Sequence, residues 1–183
     1  MELFRKNKIK NNVNIYIVED NELDSKVLVQ EFELQTNYEI KQFNNGESFL
    51  KNLISNPPPK KNVVIIILDY QLNAINIDAK NGIEILRTIK EINREYQVIM
   101  ISGYYNVDIV TNALHYGAVN FVRKNENIFM RLQNNITWII SQRELKRKRN
   151  DSIIMILVFL AVIAMITVAT LVIVGYYPEL IDR

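Results

Sequence analysis

The chain has 183 residues, of which 49% are hydrophobic and 23% are charged, and its formal net charge is +2. These values are typical of one folded domain with an appendage, and they exclude a disordered chain. The net charge is too small to indicate nucleic-acid binding, so we expect no nucleic-acid partner. Because the chain has no cysteine, disulfides and thiolate metal sites are excluded, which is compatible with a reducing cytosol.

The first predicted elements are a strand and a helix, which follow a basic N-terminal extension, residues 1–12. The extension has no apolar core, so we do not expect it to be a signal peptide. The apolar run Val13 to Val18 predicts a strand whose carboxyl end carries Glu19 and Asp20. A helix capped by its first residue is expected over Asn21 to Thr36. The apolar residues expected to pack this helix on the sheet are Leu23, Val27, Leu28, Phe32 and Leu34.

A second strand and helix lead to the most apolar segment of the domain. Tyr38 to Phe43 predicts the strand, and the Asn45-Gly46 turn starts a helix that ends before the loop S-N-P-P-P-K-K-N. The run Val63 to Tyr70, V-V-I-I-I-L-D-Y, is β-branched and lacks polar alternation, as in a strand buried on both faces. It places Asp69 at its carboxyl end. Ligands of open α/β sheets bind at such ends, although an aspartate there can also cap a loop.

The remaining elements repeat this alternation after a long loop that follows Asp69. They are a helix around Ile83, Ile85, Leu86 and Ile89, a strand over Tyr96 to Ile101, a helix over Val107 to Tyr116, a strand over Ala118 to Val122, and a helix from about Glu126 to Ile140. The last two strands deliver Ser102 and Lys124 near their carboxyl ends. Five strands alternating with five helices predict an α/β fold with a doubly wound, five-stranded parallel sheet.

Four predicted strands therefore contribute polar side chains to one edge of the sheet. These side chains are Glu19, Asp20, Asp69, Ser102 and Lys124. Carboxylate oxygens are the ligands that Mg²⁺ prefers, and a phosphoryl group in transfer needs its oxygens neutralised by a metal and a cation. A serine hydroxyl can hydrogen-bond another phosphoryl oxygen. The pattern predicts a Mg²⁺-dependent phosphoryl site, while the lack of a G-x-x-x-x-G-K-[ST] loop argues against nucleotide hydrolysis.

Over roughly Asn14 to Ser141 the sequence resembles the response-regulator receiver domain of two-component signalling. The matching motifs are V-E-D at Val18 to Asp20, I-L-D at Ile67 to Asp69, N-G-I-E-I-L at Asn81 to Leu86, M-I-S-G at Met100 to Gly103, and H-Y-G-A-V-N-F-V-R-K at His115 to Lys124. The resemblance implies the flavodoxin-like receiver fold. It also implies that the domain is no enzyme, beyond assisting its own Mg²⁺-dependent phosphorylation and dephosphorylation.

The resemblance implies the roles of four residues in phosphoryl transfer and switching. Asp69 would be the phosphoacceptor, taking a phosphoryl group from a histidine kinase or a phosphotransfer protein. Lys124 would be the cation that pairs with the phosphoryl oxygens. Ser102 would be the switch hydroxyl that moves toward the phosphate, and Phe121 would be the aromatic residue that changes rotamer with it.

The resemblance also implies a Mg²⁺ site. Its ligands would be Asp20, Asp69 and the backbone carbonyl of Gln71, with Glu19 acting directly or through water. The family usually has a proline after its lysine, often through a cis bond, whereas Asn125 follows here. This departure puts the geometry of that loop in question. The alternative is a receiver fold that takes no phosphate, but a degenerate receiver would be expected to lose one of the key residues, and none is lost.

The C-terminal part predicts a membrane anchor. Residues 152–174, S-I-I-M-I-L-V-F-L-A-V-I-A-M-I-T-V-A-T-L-V-I-V, carry no charge, and as a helix they would span about 30–35 Å. The basic residues just before them are Arg143, Lys146, Arg147, Lys148 and Arg149. By the positive-inside tendency this side is cytoplasmic. The predicted organisation is a receiver domain over 13–142, a basic juxtamembrane linker over 143–151, the transmembrane helix, and a short extracytoplasmic tail over 175–183.

The sequence thus predicts a single-pass protein of a bacterial inner membrane, with its receiver domain in the cytoplasm and its C-terminus outside. Phosphorylation would control its interaction with a partner protein. Two alternatives stay open: a non-switching docking subunit of a membrane protein complex, and a phosphate sink that drains a kinase. A homodimer formed on phosphorylation also stays open.

Overall fold

The computed structural model of the protein describes residues 12–36, 38–72, 80–104 and 106–176, with side chains up to residue 170. Three predicted features lie outside the described residues: the N-terminal extension up to residue 11, positions 73–79 of the long loop after Asp69, and positions 177–183 of the tail. The chain forms two compact units, residues 1–140 and 141–183.

In the described part of the chain, five strands alternate with five helices, as the hydrophobic pattern predicts, and the fifth helix continues into the second unit. The strands are β1 (Val13–Val18), β2 (Ile40–Phe43), β3 (Val63–Asp69), β4 (Gln97–Ser102) and β5 (Asn120–Arg123). The helices are α1 (Glu22–Gln35), α2 (Gly46–Ser55), α3 (Gly82–Ile92), α4 (Val107–His115) and α5 (Ile128–Tyr176).

The five strands form one parallel sheet in the order β2-β1-β3-β4-β5. The apolar strand β3 lies at its centre, where six of its seven residues are buried. The chain leaves β1 in one direction to form β2, and then crosses back to β3 on the other side. This change of direction opens a crevice at the carboxyl ends of β1 and β3, which is where ligands of such sheets bind. The predicted doubly wound sheet is confirmed.

Helices cover both faces of the sheet, so two apolar cores form. On one face the buried side chains include Leu28 and Phe32 of α1 and Leu132 and Ile136 of α5. On the other face they include Phe49 and Leu53 of α2, Ile85 and Ile89 of α3, and Ala113 of α4. Because β3 contributes to both cores, it needs apolar side chains at successive positions rather than at alternate ones.

Asparagine caps define where the first four helices begin. The capping residues are Asn21, Asn45, Asn81 and Asn106, each of which accepts hydrogen bonds from backbone N–H groups of the first turn. The prediction of a cap at Asn21 is confirmed. At the other end of α4, Gly117 has a φ of +98°, in the left-handed region that favours glycine. This glycine ends the helix before β5.

The structure corrects the predicted packing of α1. Leu28 and Phe32 are buried as expected, but Leu23, Val27 and Leu34 are 74%, 59% and 74% exposed. The five residues lie on two faces of the helix, and one face alone meets the sheet. The prediction of five inward-facing residues is therefore wrong for three of them.

Three strand boundaries also differ from those expected from the sequence. Strand β2 begins at Ile40, because the preceding Tyr38 N–H turns back to the Thr36 hydroxyl. Strand β5 begins at Asn120, because the Ala118 N–H still closes the end of α4 by donating to Ala113 O. Strand β4 is shifted by one residue, so that Ser102 is its last residue rather than the one after it.

The second unit is helical from residue 141 to residue 176. All of its side chains from 151 to 170 are exposed, and most of them are apolar. In the described part of the chain, α5 is the one helix long and apolar enough to cross a membrane. Its most apolar window has a mean hydropathy of 3.0, and none of that window is buried. This supports a C-terminal apolar helix that could span a bilayer.

Candidate functional site

Three carboxylates meet in the crevice between the carboxyl ends of β1 and β3. Glu19 and Asp20 directly follow β1, and Asp69 is the last residue of β3. One oxygen of each lies within 4.8 Å of the others. The parallel pairing of Val18 with Leu68 sets the two strand ends side by side. The sheet register therefore assembles the acidic group that the sequence predicts at this edge.

Lys124, just after β5, places its ammonium among these carboxylates. Its Nζ lies 2.6 Å from Glu19 Oε2 and 3.1 Å from Asp69 Oδ2. A third carboxylate, Asp24 Oδ2 in the first turn of α1, lies 3.4 Å away. The side chains of Glu19 and Asp69 are 0% and 3% exposed, so their ion pairs with Lys124 are only weakly screened by solvent. Lys124 is thus held against the Asp69 carboxylate.

Burial and charge shift the pKa values of Glu19 and Lys124. Burial raises the pKa of Glu19 to about 7, and the negative charge of Asp69 adds to this, against the lowering effect of Lys124. Burial alone would lower the pKa of Lys124, but the carboxylates of Asp69 and Glu19 outweigh it and raise the pKa above its usual value. The lysine therefore remains a cation at neutral pH, while Glu19 exchanges its proton near neutrality.

The residues present fit a divalent cation. Asp69 Oδ1 is buried and has no hydrogen-bond partner among the described residues, whereas Asp69 Oδ2 faces Lys124. A buried carboxylate oxygen without a partner is costly, and a cation bound by the acidic group would satisfy it. Glu19, Asp20 and Asp69 supply the hard oxygen ligands that suit Mg²⁺. When bound there, the ion would supply positive charge to phosphoryl oxygens.

Ser102 and Lys124 are joined through their backbones. Ser102 ends β4 and is fully buried, and its carbonyl oxygen accepts a hydrogen bond of 2.8 Å from the Lys124 N–H. Its hydroxyl oxygen accepts one of 3.1 Å from the Tyr104 N–H. The neighbouring Ile101 carbonyl accepts a hydrogen bond from the N–H of Tyr70, which directly follows Asp69. These bonds tie the ends of β3, β4 and β5 together.

The other two predicted site residues lie near this edge. Phe121 is in β5, paired with Met100, and its partly buried side chain packs against the core formed with α2 and α3. Gln71 follows Asp69 by two residues and is exposed. Its carbonyl as a metal ligand stays a prediction. The peptide bond between Lys124 and Asn125 is trans, so Lys124 reaches the site without the proline that usually follows it in the family.

Asp24 is the site residue that the sequence analysis missed. It lies three residues beyond the cap of α1, and side chains in the first turn of a helix tilt back toward its N-terminus. That direction leads to the carboxyl end of the sheet. The sequence shows only that Asp24 lies four residues after Asp20, in the same part of the chain as the site. Its contact with Lys124 could not be predicted from this, because the two residues are 100 positions apart.

The glycine of the N-G that begins α3, Gly82, lies very close to the backbone at the end of β3. The Gly82 N–H donates a hydrogen bond of 2.9 Å to Tyr70 O. A Cβ on this glycine would lie 2.7 Å from Tyr70 Cα, and closer still to Asp69 O. Asn81 and Glu84 form a reciprocal capping box around it. The start of α3 is therefore packed directly on the backbone at the end of β3.

Comparison with known families identifies the domain. The family described as the response regulator receiver domain matches residues 15–135, which is more than half of the chain. The chain belongs to this family, whose members are signalling modules. The receiver fold and its acidic crevice are thus explained by membership of one family. A comparison with curated proteins found no match.

Solved structures agree with this fold. A CheY-like response regulator receiver domain protein from Methanospirillum hungatei JF-1 is 20% identical with a TM-score of 0.60, covering 73% of this chain and 97% of that one. A response regulator protein from Burkholderia pseudomallei, solved with a phosphorylated aspartic acid, a calcium ion and citrate, is 20% identical with a TM-score of 0.54 over 73% of this chain and 74% of that one. NtrX from Brucella abortus is 25% identical with a TM-score of 0.61 over 75% of this chain but 29% of that longer one.

Proposed function

We propose that this protein is a membrane-anchored response-regulator receiver that is phosphorylated on Asp69 by a histidine kinase or a phosphotransfer protein. The phosphorylated domain would then bind or release a partner protein at the membrane. The surroundings of the Asp69 carboxylate support this proposal. Asp69 Oδ2 lies 3.1 Å from the Lys124 ammonium, and Asp69 Oδ1 is buried without a hydrogen-bond partner among the described residues.

In the proposed reaction, one oxygen of the Asp69 carboxylate is the nucleophile. It attacks the phosphorus of a phosphohistidine, the P–N bond breaks as the P–O bond forms, and the leaving imidazole takes a proton from water. Lys124 pairs with the phosphoryl oxygens and balances their charge. Glu19, Asp20, Asp69 and the Gln71 carbonyl would hold the Mg²⁺ ion. On phosphorylation, Ser102 would move toward the phosphate and Phe121 would change rotamer. These changes would alter the surface formed by α4, β5 and α5.

The test is uptake of a phosphoryl group by the full chain in lipid nanodiscs. Acetyl phosphate with Mg²⁺ should add one phosphoryl group, detected by intact mass, and chelation of the metal should prevent it. Asp69→Asn should abolish the addition, whereas Glu33→Gln, which removes an exposed carboxylate on α1, should not. If the wild-type chain shows no Mg²⁺-dependent addition, the switching function is wrong, and a docking subunit of a membrane complex becomes the better explanation.

The membrane part of the proposal rests on the exposed apolar side chains of the second unit. Residues 152–174 would cross the inner membrane of a bacterium once, after a receiver domain over 13–142. The basic linker, 143–151, would lie at the cytoplasmic surface, and the tail, 175–183, would lie outside. The proposal includes no nucleic-acid partner, since the formal net charge is only +2. The proposed partner is a membrane protein complex or a second copy of this chain.

A further inference from the structure

Asp24 contacts the lysine of the site, although it belongs to neither the acidic group nor a receiver motif. We propose that Asp24 is a positioning residue that competes with Asp69, and with a phosphoryl group on Asp69, for the ammonium of Lys124. This inference rests on the proposed phosphorylation of Asp69. Asp24 would then influence how readily Asp69 becomes phosphorylated.

The ammonium of Lys124 has three N–H donors and faces three carboxylates. Asp69 and Asp24 accept hydrogen bonds from it at 3.1 and 3.4 Å, and Glu19 forms an ion pair with it at 2.6 Å. Three carboxylates therefore compete for this cation before any phosphoryl group arrives. A phosphoryl oxygen that approaches the ammonium becomes a fourth acceptor for three donors, so one of the carboxylates has to move away.

The three carboxylates differ in the cost of losing their contact with Lys124. The side chains of Glu19 and Asp69 are 0% and 3% exposed, so losing the cation would leave a buried group without its partner. The Asp24 side chain is 46% exposed and makes the longest of the three contacts. Water can replace the ammonium there. Asp24 is thus the partner that Lys124 would leave on phosphorylation.

The contact between Asp24 and Lys124 should favour the unphosphorylated state. The Asp24 contact stabilises the arrangement of Lys124 in the unphosphorylated protein, and phosphorylation breaks it. Removing the carboxylate should therefore favour the phosphorylated state. Because half-exposed ion pairs are weak, the expected change is about two- to five-fold in the equilibrium.

The experiment compares Asp24→Asn with Glu22→Gln in the full chain in nanodiscs. Glu22 lies in the same first turn of α1 and also carries one negative charge, but it pairs with Lys26. Two readouts are taken with Mg²⁺ present: the affinity for beryllofluoride, from tyrosine fluorescence, and the phosphorylated fraction under acetyl phosphate, from intact mass. Asp24→Glu serves as the conservative variant, since it keeps a carboxylate near Lys124.

The expected result is that Asp24→Asn raises both quantities two- to five-fold, that Glu22→Gln leaves them at the wild-type level, and that Asp24→Glu stays near the wild type. Equal values for Asp24→Asn and the wild type would overturn the inference, as would an equal rise in Glu22→Gln, which would show a general charge effect. Failure of the wild-type chain to take up either probe would overturn the proposed function, and this inference with it.

Discussion

The pKa of Glu19 is set by opposing effects: burial and the charge of Asp69 raise it, and the Lys124 cation lowers it. It is 1% exposed, lies 2.6 Å from the Lys124 ammonium through Oε2, and accepts a hydrogen bond of 3.3 Å from the Asn21 N–H through Oε1. Even with these partners, burial and the charge of Asp69 raise its pKa from 4.5 to about 7. A bound Mg²⁺ would favour the ionised form. Without the metal, Glu19 in the folded protein is partly protonated at neutral pH.

The raised pKa of Glu19 predicts how stability depends on pH when no divalent cation is present. A carboxyl group with a higher pKa in the folded state stabilises the fold below its unfolded pKa, and this contribution is lost as the pH rises through the folded pKa. The free energy of unfolding should therefore fall between about pH 4.5 and 7, by on the order of 2 kcal/mol from this group. Urea unfolding of the full chain in detergent with EDTA measures it.

The control for this prediction is Glu19→Gln, which keeps the shape of the side chain but cannot ionise. Its free energy of unfolding should vary less with pH than that of the wild type over the same range. A wild-type stability that rises between pH 4.5 and 7, or an unchanged slope in Glu19→Gln, would contradict the raised pKa.

At the scale of the elements, the end of β3 is packed against the start of α3. Gly82 lies on the backbone of Asp69 and Tyr70, and Asn81 and Glu84 form a capping box at the start of the helix. This contact links the fold of the N-G-I-E-I-L motif to the position of Asp69.

Gly82→Ala should lower both the stability of the fold and phosphoryl uptake at Asp69. Its added Cβ would overlap backbone atoms, which cannot move aside as a side chain can, so we expect a loss of about 1–3 kcal/mol in the free energy of unfolding. Phosphoryl uptake from acetyl phosphate should also fall, because the Asp69 carbonyl is displaced. Urea unfolding and intact mass measure the two effects.

Gly103→Ala is the matched glycine control for stability. Nothing lies within 4 Å of a Cβ built on Gly103, so the same substitution there should change the free energy of unfolding by much less. Equal effects at the two glycines would show that the contact of Gly82 with β3 does not matter.

At the scale of the whole molecule, the two units differ in the environment that their side chains require. The first unit buries its apolar residues on both faces of the sheet, whereas the second exposes them from residue 151 to residue 170. Exposed apolar surface of this extent is unfavourable in water. The proposed membrane span would remove it from water, and the basic linker before it would favour the proposed orientation.

The absence of cysteine from the chain allows a clean test of the topology. Lys60→Cys places one thiol in an exposed loop of the first unit, and Arg183→Cys places one in the predicted tail. In intact spheroplasts a membrane-impermeant maleimide should label the second variant and not the first, and permeabilisation should allow both to be labelled. The cysteine-free wild type is the background control. Labelling of Lys60→Cys alone before permeabilisation would reverse the proposed orientation.

Much of the fold could be predicted because it depends on local patterns. The unbroken apolar run of β3 indicated a strand buried on both faces, and the asparagine before α1 indicated where that helix starts. The residues at the strand ends could be grouped into one site, because parallel strands bring their carboxyl ends to one edge. The charge-free segment near the C-terminus likewise indicated a helix suited to a bilayer.

By itself, then, the sequence determined the alternation of strands and helices, the polar residues at the strand ends and the apolar C-terminal helix, since each follows from neighbouring residues along the chain. Only the tertiary structure decided that Asp24 contacts Lys124 and that Gly82 packs on β3. It also decided which apolar residues of α1 are exposed, namely Leu23, Val27 and Leu34. The physical reason is that these contacts depend on how α1, α3 and the strand ends are oriented when both faces of the sheet are packed.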